Sequence, residues 1–427
     1  MPQSQGVIIP SLKKGKICMP MPFTQPTVVS KATNGYPNYK EMNDEKDVKG
    51  IVCSFGNLYK AMRKCRQNVL WKDSVAGFTV VNGLANCYKI KHQHENGTYK
   101  IDGYTVFKVH EPKERTIVST RIKDRVFQRS LCDNYLTEQV AKGFIYDSGA
   151  CLPNKGTEFA RKRFYIAMQR HYRKYGTRGG ALKCDLSDYF GSTPHSVAAD
   201  SITKRVQDGW AVSEVHRIIG SFKQGANPEK GIGLGSQASQ LIQLAVLDEI
   251  DHYIKEVLRI KNYVRYMDDF ILIHPNPNYL RYCKEKIRER VEALDLRLSP
   301  KKTQLQPITQ PIHFLGFSFQ LTETGKIVIK MLPEKVSHER RKLKKLVARA
   351  KAGLMTRKEV DACYESWRSH ASGKSKNKPK GTPGKQLKRH THKLVLAMDK
   401  YYKSLWEDNS YEVSQSQRPT AGRTQEV

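Results

Sequence analysis

Two adjacent acids, Asp268 and Asp269, interrupt a run that is otherwise suited to a core, YVRYMDDFILI. Unpaired carboxylates in a dry interior cost several kcal/mol each, so these two need cations. A third acid, Asp185, ends a similar short apolar run, ALKCDLSDYFGS. If the strand ending at Asp185 lies beside a hairpin tipped by Asp268 and Asp269, three carboxylates meet at one sheet edge. Oxygen donors of that kind hold hard divalent cations, and a pair of them about 3.5–4 Å apart activates a hydroxyl nucleophile and neutralises a departing pyrophosphate. An ordinary helix cap is the plain alternative for Asp185. Asp188, three residues on, would not readily reach the same ions and is read as structural.

The elements that must position these acids are visible as patterns. YVRYMDDFILI reads as two strands of a β-hairpin with the acids at the tip. Residues 124–142 and 237–258 carry apolar residues at helical spacing; in the second, Leu244, Leu247, Ile250, Ile254 and Val257 would share one face. From Ser54 the pattern is helical, and NGTYKIDGYTVFKVHEPKERTIVS reads as extended strands around an Asn96-Gly97 turn. The end of the chain reads as three helices. Thr356 and Glu359 form a capping box opening the middle one, and a basic loop, SGKSKNKPKGTPG, precedes the last.

The chain has 427 residues, 74 Lys and Arg against 41 Asp and Glu, and a net charge of +33. That excess far exceeds the magnitude of about 2–8 that keeps a small domain soluble, and it points to a polyanionic partner, nucleic acid above all, with a well-solvated basic surface as the plain alternative. Between Lys335 and Lys400 there are 20 Lys and Arg against 5 Asp and Glu, with Tyr364 and Trp367 interleaved. Nine cysteines, an odd number without a CxxC pair, speak for free thiols in a reducing compartment and against a zinc ribbon or disulfide scaffold. No run approaches the ~20 apolar residues of a membrane span, and the start has no continuous apolar h-region. No membrane partner and a cytoplasmic location are therefore expected.

These residues resemble a reverse transcriptase. YMDD, Tyr266–Asp269, matches that family's Y-x-D-D box, and CDLSDYF its first acidic motif. IGLGSQASQ (Ile232–Gln240) matches the segment that positions template and nucleotide. LSPKKT (Leu298–Thr303) matches the lysine motif and HFLGFSF (His313–Phe319) the primer grip, while EPKERTI and DRVFQ resemble the fingers segments. The similarity spans roughly residues 55–330. Leu234-Gly235 with Ser239-Gln240, together with GACLPNKGTEFA from Gly149, is similar to the bacterial lineage that includes diversity-generating-retroelement and defence-associated (unknown group) enzymes. The chain does not resemble a full group II intron maturase, and no RNase H set of acids follows.

The resemblance implies an α+β right-hand polymerase: an N-terminal arm over 1–50, fingers over 51–180, a palm with an antiparallel sheet over 181–332, a basic helical thumb over 333–407 and a polar tail over 408–427. It implies two Mg²⁺ ions, or Mn²⁺, on Asp185, Asp268, Asp269 and the carbonyl of Leu186. Lys302 would act as a general acid toward pyrophosphate, with adjacent Lys301 leaving the choice open. Lys108 and Arg115 would clamp the triphosphate, with a solvated face as the alternative. Phe190 would pack under the sugar and select deoxynucleotides, with a core Phe as the alternative. Gly235 would admit the nucleotide to close backbone approach, with an ordinary turn glycine as the alternative. Ser239, Gln240, Tyr266, Leu315 and Gly316 would contact template or primer. The implied partners are an RNA template, in this lineage a dedicated non-coding RNA, a DNA primer or product strand, and dNTPs; oligomeric state stays open. The rival readings are an RNA replicase, disfavoured by Tyr266 and Phe190, and a non-catalytic RNA-binding scaffold, disfavoured by the three acids. Anti-phage defence is the expected role, with template diversification as the alternative.

Overall fold

The acids are carried by a four-stranded antiparallel sheet of order β4-β5-β3-β6, formed by β3 (Gly180–Cys184), β4 (Asn262–Tyr266), β5 (Asp269–His274) and β6 (Gln304–Pro307). The computed structural model describes residues 47–110, 114–223, 227–372 and 384–407. The expected arm, up to residue 46, and the tail over 408–427 lie outside the described residues, as does the basic loop over 373–383. The first described helix, Val48–Val52, begins inside the stretch expected to be arm.

The sheet is covered on both faces, which is why FILI reads as a continuous apolar run rather than an alternating one. Leu182, Cys184, Phe270 and Leu272 enter one core with Leu241 and Leu244 of the helix Gln237–Val246 and Leu280, Cys283 and Ile287 of the helix Pro277–Ala293. Ala181, Val264, Ile271 and Ile273 enter a second core with Ala160, Phe164 and Met168 of the helix Thr157–Tyr175. That second core also takes Phe314, Phe317 and Phe319 from a three-stranded sheet of β7 (Ile312–Phe314), β8 (Phe317–Leu321) and β9 (Ile327–Met331). β1 (Tyr104–Val109) and β2 (Arg115–Thr120) make a separate two-stranded ribbon.

Three terminal helices, Pro333–Lys351, Arg357–Ser372 and Gly384–Glu407, pack through Leu343, Val347, Val360, Tyr364, Met398 and Tyr402. The capping box forms as expected: the Thr356 N–H donates to Glu359 Oε2 at 2.8 Å and the Glu359 N–H to Thr356 Oγ1 at 3.3 Å. No described helix is long and apolar enough to cross a membrane. All eight described cysteines are free thiols.

Two local expectations are corrected. Asn96-Gly97 is not a turn between strands: it ends the helix Gly83–Glu95, with Gly97 at φ +67° and the Thr98 N–H returning to the Gln93 carbonyl at 2.8 Å. A left-handed glycine just past a helix is a stop signal, and the strand pairing starts only at Tyr104. The expected single helix over 237–258 breaks at Leu247, and although Leu244, Leu247, Ile250 and Ile254 are buried, Val257 is 64% exposed.

Candidate active site

The sheet register brings the acids together. β4 and β5 pair with Tyr266 opposite Asp269, so Met267 and Asp268 are the whole connection of a two-residue hairpin. β3 runs antiparallel to β5 with Cys184 opposite Phe270, which sets Asp185 one step on, at the position of Asp269. The strand end is pinned from the other side, where the Ser299 N–H donates to the Asp185 carbonyl at 2.7 Å and Leu186 bridges Leu298. The LSPKKT segment therefore returns across the acids, and Lys302 Nζ lies 2.5 Å from Asp185 Oδ1.

The convergence is looser than a metal cage. Among the described residues no group of three or more Asp, Glu, His or Cys side chains is gathered as a cation site. Amino groups lie on the carboxylates instead: Lys302 on Asp185, and Lys183 Nζ at 3.3 Å from Asp269 Oδ2. The donor set nonetheless suits a hard cation. Asp269 Oδ1 is buried with no hydrogen-bond partner, and burial pushes this carboxyl up to about 7, with Asp185 and Asp268 adding to the rise and Lys183 only partly opposing it. An orphaned, mutually repelling carboxylate is what a divalent ion relieves.

Beside the acids opens a cleft of about 750 Å³ whose lining includes Asp268, Lys302, Leu186, Phe190, Lys230 and Leu234. Phe190 is half-buried at its wall, meeting Tyr189 edge-on at 5.8 Å, and its carbonyl is fixed by the Ile232 N–H at 2.7 Å. The segment over 231–235 thus runs alongside Phe190. Gly235, at φ +126° and exposed, has only the Ser119 and Val118 backbone near the space a Cβ would fill, at 3.9 and 4.0 Å.

Leu315 and Gly316, with φ +48° and +84°, form the two-residue turn between β7 and β8. That is the left-handed pair a tight hairpin demands. Arg161 donates to the Leu315 carbonyl at 3.3 Å and stacks over Phe317 at 4.5 Å. Tyr266 and Gln240 are half-buried.

Two expected site assignments are corrected. Ser239 has no exposed surface: its N–H donates to the N-cap Ser236 Oγ at 3.0 Å and the two hydroxyls lie 2.8 Å apart, so it is taken up in the cap that Ser236 makes instead of presenting a hydroxyl to template or primer. Lys108 pairs with Thr116 and Arg115 with Val109, one step along the ladder. Because faces alternate residue by residue in a strand, the two positions fall on opposite faces of the ribbon. Lys108 shares the face of Thr116, which lines the cleft, and is held by Glu114 at 2.7 Å.

A family model described as reverse transcriptase (RNA-dependent DNA polymerase) matches residues 108–319. Those residues form a reverse transcriptase domain. It takes in every residue assigned above from Lys108 to Gly316, and the fold is that of a right-hand polymerase, mixed helices with antiparallel sheets. Among solved structures, the chain is similar to apo telomerase from Candida tropicalis truncated from its C-terminal domain, with 12% identity, a TM-score of 0.41, and coverage of 54% of this chain and 55% of that one. It is also similar to telomerase from Candida albicans in complex with a TWJ fragment of telomeric RNA, with 12% identity, a TM-score of 0.42, and coverage of 72% and 59%. The chain thus spans under two thirds of the length of either. No curated protein gives a significant sequence match.

Two supports of the acid site went unread in the sequence. Lys183 donates to the His313 carbonyl at 2.9 Å while facing Asp269, tying the β7–β8 hairpin to the carboxylate. Arg265 and Asp251, 1% and 0% exposed, form a buried pair with contacts of 2.6–2.9 Å, and Arg265 Nη1 donates to the Met267 carbonyl at 3.2 Å. Met267 sits at φ +54°, an uncommon and strained conformation for a non-glycine residue. Asp251 lies on the same helical stripe as Leu244, Leu247 and Ile254; an acid on an apolar stripe was the available signal.

The raised Asp269 carboxyl has a sign that can be tested. It ionises at 3.8 when unfolded and about 7 when folded, so between those values the folded state holds a proton that the unfolded state has lost. Its contribution to metal-free stability therefore falls as pH rises from about 4 to about 7. Only the ionised form accepts a cation, so Mg²⁺ is expected to raise the melting temperature more at pH 8 than at pH 6. A thermal-shift titration at the two pH values, compared with Asp269→Asn, checks this.

Proposed function

We propose that the chain is an RNA-directed DNA polymerase, with fingers over 51–180, palm over 181–332 and thumb over 333–407. The observation that carries the reading is the register that sets Asp185 beside the Asp268–Asp269 hairpin at the mouth of a cleft walled by Phe190. Asp185, Asp268, Asp269 and the Leu186 carbonyl would hold two Mg²⁺ ions, which when bound supply the positive charge for ionising a primer hydroxyl and for stabilising pyrophosphate as it leaves. Lys302, already at the carboxylate edge, is placed to give its proton to the leaving oxygen. Lys108 meets the triphosphate from the ribbon, and the Leu315–Gly316 turn holds the primer end.

Primer extension by the pure protein on an RNA template with dNTPs and Mg²⁺ tests the reading. Activity lost in Asp268→Ala/Asp269→Ala supports it. Incorporation of ribonucleotides but not deoxynucleotides would make the enzyme an RNA replicase, and RNA binding with no extension by either protein would favour a scaffold. Phe190→Ala is expected to narrow the preference for deoxynucleotides at least about tenfold, since removing the ring opens room for a 2′-hydroxyl; the size follows from about 1.4 kcal/mol of lost steric discrimination. The ratio of kcat/KM for dNTP and rNTP reads it directly.

We further propose that the template is a dedicated non-coding RNA, copied in the cytoplasm as part of anti-phage defence; the Leu-Gly-x-x-x-Ser-Gln signature supports this. Sequencing RNA and cDNA that co-purify with the protein from its host tests it. One structured RNA copied during infection fits, whereas adenine-directed errors in a protein-coding repeat would assign the enzyme to a diversity-generating retroelement.

A further inference from the structure

Among the described residues, sixteen large apolar side chains are exposed, and six of them fall between positions 70 and 88: Leu70, Trp71, Val80, Val81, Leu84 and Tyr88. Trp71 is 77% exposed and Val81 75%. The helix Gly83–Glu95 shows why this is not a loosely packed edge. Its inner face is complete, with Gly83, Cys87, Ile90 and His94 buried and the helix anchored by Asn86 to the Phe78 carbonyl at 2.9 Å. Leu84, Tyr88 and His92 recur at a spacing of four along its outer face, with Val81 exposed just before its N-cap, so the helix carries a second apolar and aromatic stripe in solvent. A stripe of that kind marks a contact surface.

Charge and ring geometry indicate the partner. Residues 55–92 contain seven cations, Lys60, Arg63, Lys64, Arg66, Lys72, Lys89 and Lys91, and one acid, Asp73. Only Lys64 and Lys91 are held by acids among the described residues, Asp133 and Glu95. The exposed rings come with polar or cationic companions: Lys72 Nζ lies 5.1 Å from the Trp71 ring centre, and His92 stacks on Tyr88 at 6.1 Å with 25° between planes. A second copy of the chain would bring the same positive face against this one. Exposed rings beside cations are the arrangement on which unpaired bases stack while phosphates are neutralised.

We propose that this face, comprising Trp71, Leu84, Tyr88 and His92 with the surrounding lysines and arginines, is a binding site for single-stranded RNA outside the catalytic cleft. The site deepens the polymerase reading by giving template RNA a second hold on the protein, but RNA binding is measured without any polymerisation, so the two stand or fall separately.

The test uses the full chain and a short, fluorescein-labelled, unstructured oligoribonucleotide, followed by anisotropy across a salt series. Trp71→Ala/Tyr88→Ala is expected to weaken binding at least about tenfold, the loss of stacking on two rings. Lys72→Gln/Lys89→Gln is expected to flatten the slope of log K against log salt by about 0.7 per cation. Extension of a short pre-annealed primer–template by both variants should stay at the wild-type rate, which also reports that they are folded. Unchanged affinity and slope would overturn the proposal. It would equally be overturned if RNA binding held while Trp71→Ala/Tyr88→Ala abolished a self-association seen by sedimentation, which would assign the face to protein contacts.

Discussion

Asp185→Asn is expected to lower primer extension at least about 10³-fold without unfolding the protein. The magnitude follows from removing one charged oxygen donor where transition-state charge is stabilised, an effect of about 10²–10³ for a single neutral donor and larger for a carboxylate that holds a cation. Asparagine keeps the shape of the side chain at a position that is 6% exposed, while the Ser299 N–H to backbone carbonyl bond does not depend on the side chain. Lys302 loses its partner, but its side chain is 50% exposed and returns to water at little cost. Asp185 is also one of the charges that push the Asp269 carboxyl up, so its removal relieves repulsion. The melting temperature should therefore be unchanged or slightly raised while extension collapses. A fall in both together would mean that Asp185 serves the fold.

Asp251→Ala is expected to do the opposite, destabilising the protein by about 3–5 kcal/mol, the usual consequence of stranding one member of a buried ion pair. Arg265 would keep its charge at 1% exposure with only the Leu244 and Met267 carbonyls, each at 3.2 Å, to solvate it. Tyr263 would lose the acceptor of its hydroxyl, now 2.5 Å from Asp251 Oδ1. Arg265, no longer anchored by Asp251, would hold the strained Met267 turn less firmly, so extension should fall as well. Denaturant unfolding measures the first effect. The double variant Asp251→Leu/Arg265→Met separates the two: it removes the stranded charge and should recover much of the stability, yet it leaves the Met267 carbonyl without its donor and should not recover the extension rate.

The two variants differ in where the relevant charge sits. At Asp185 it faces a half-exposed lysine that lines the cleft; at Asp251 it faces a fully buried guanidinium. Local pattern separates these cases only in part. YVRYMDDFILI announces a hairpin near its two acids, but the register places the turn at Met267-Asp268 and leaves Asp269 as the first residue of β5 rather than at the tip. In the same run no local pattern shows that Arg265 is buried. It is buried because Asp251, on a helix that packs beneath the sheet, meets it there.

The triphosphate clamp and Ser239 illustrate the same limit. Lys108 and Arg115 are seven apart in sequence, and whether they share a face depends on which residues pair across the ribbon. The observed pairing of Lys108 with Thr116 puts the two positions on opposite faces. Ser239 sits in a motif whose companions reach the cleft, but Ser236 takes the N-cap of its helix, and capping turns Ser239 inward.

The sequence alone determined the classes of most elements, the acids that need cations, the +33 charge from which a polyanionic partner is expected, and the family likeness of motifs between roughly residues 55 and 330. Each follows from composition, from spacings of two to seven residues, or from short motifs, all of them properties of neighbouring residues. Tertiary structure decided which side chains meet: Lys302 with Asp185 across 117 residues, Lys183 with His313 across 130, Arg265 with Asp251 inside the core, and the outer stripe of Leu84 and Tyr88 left in solvent. Those meetings depend on strand order and register, which are set by how two cores close over both faces of one sheet and are not encoded in any single segment.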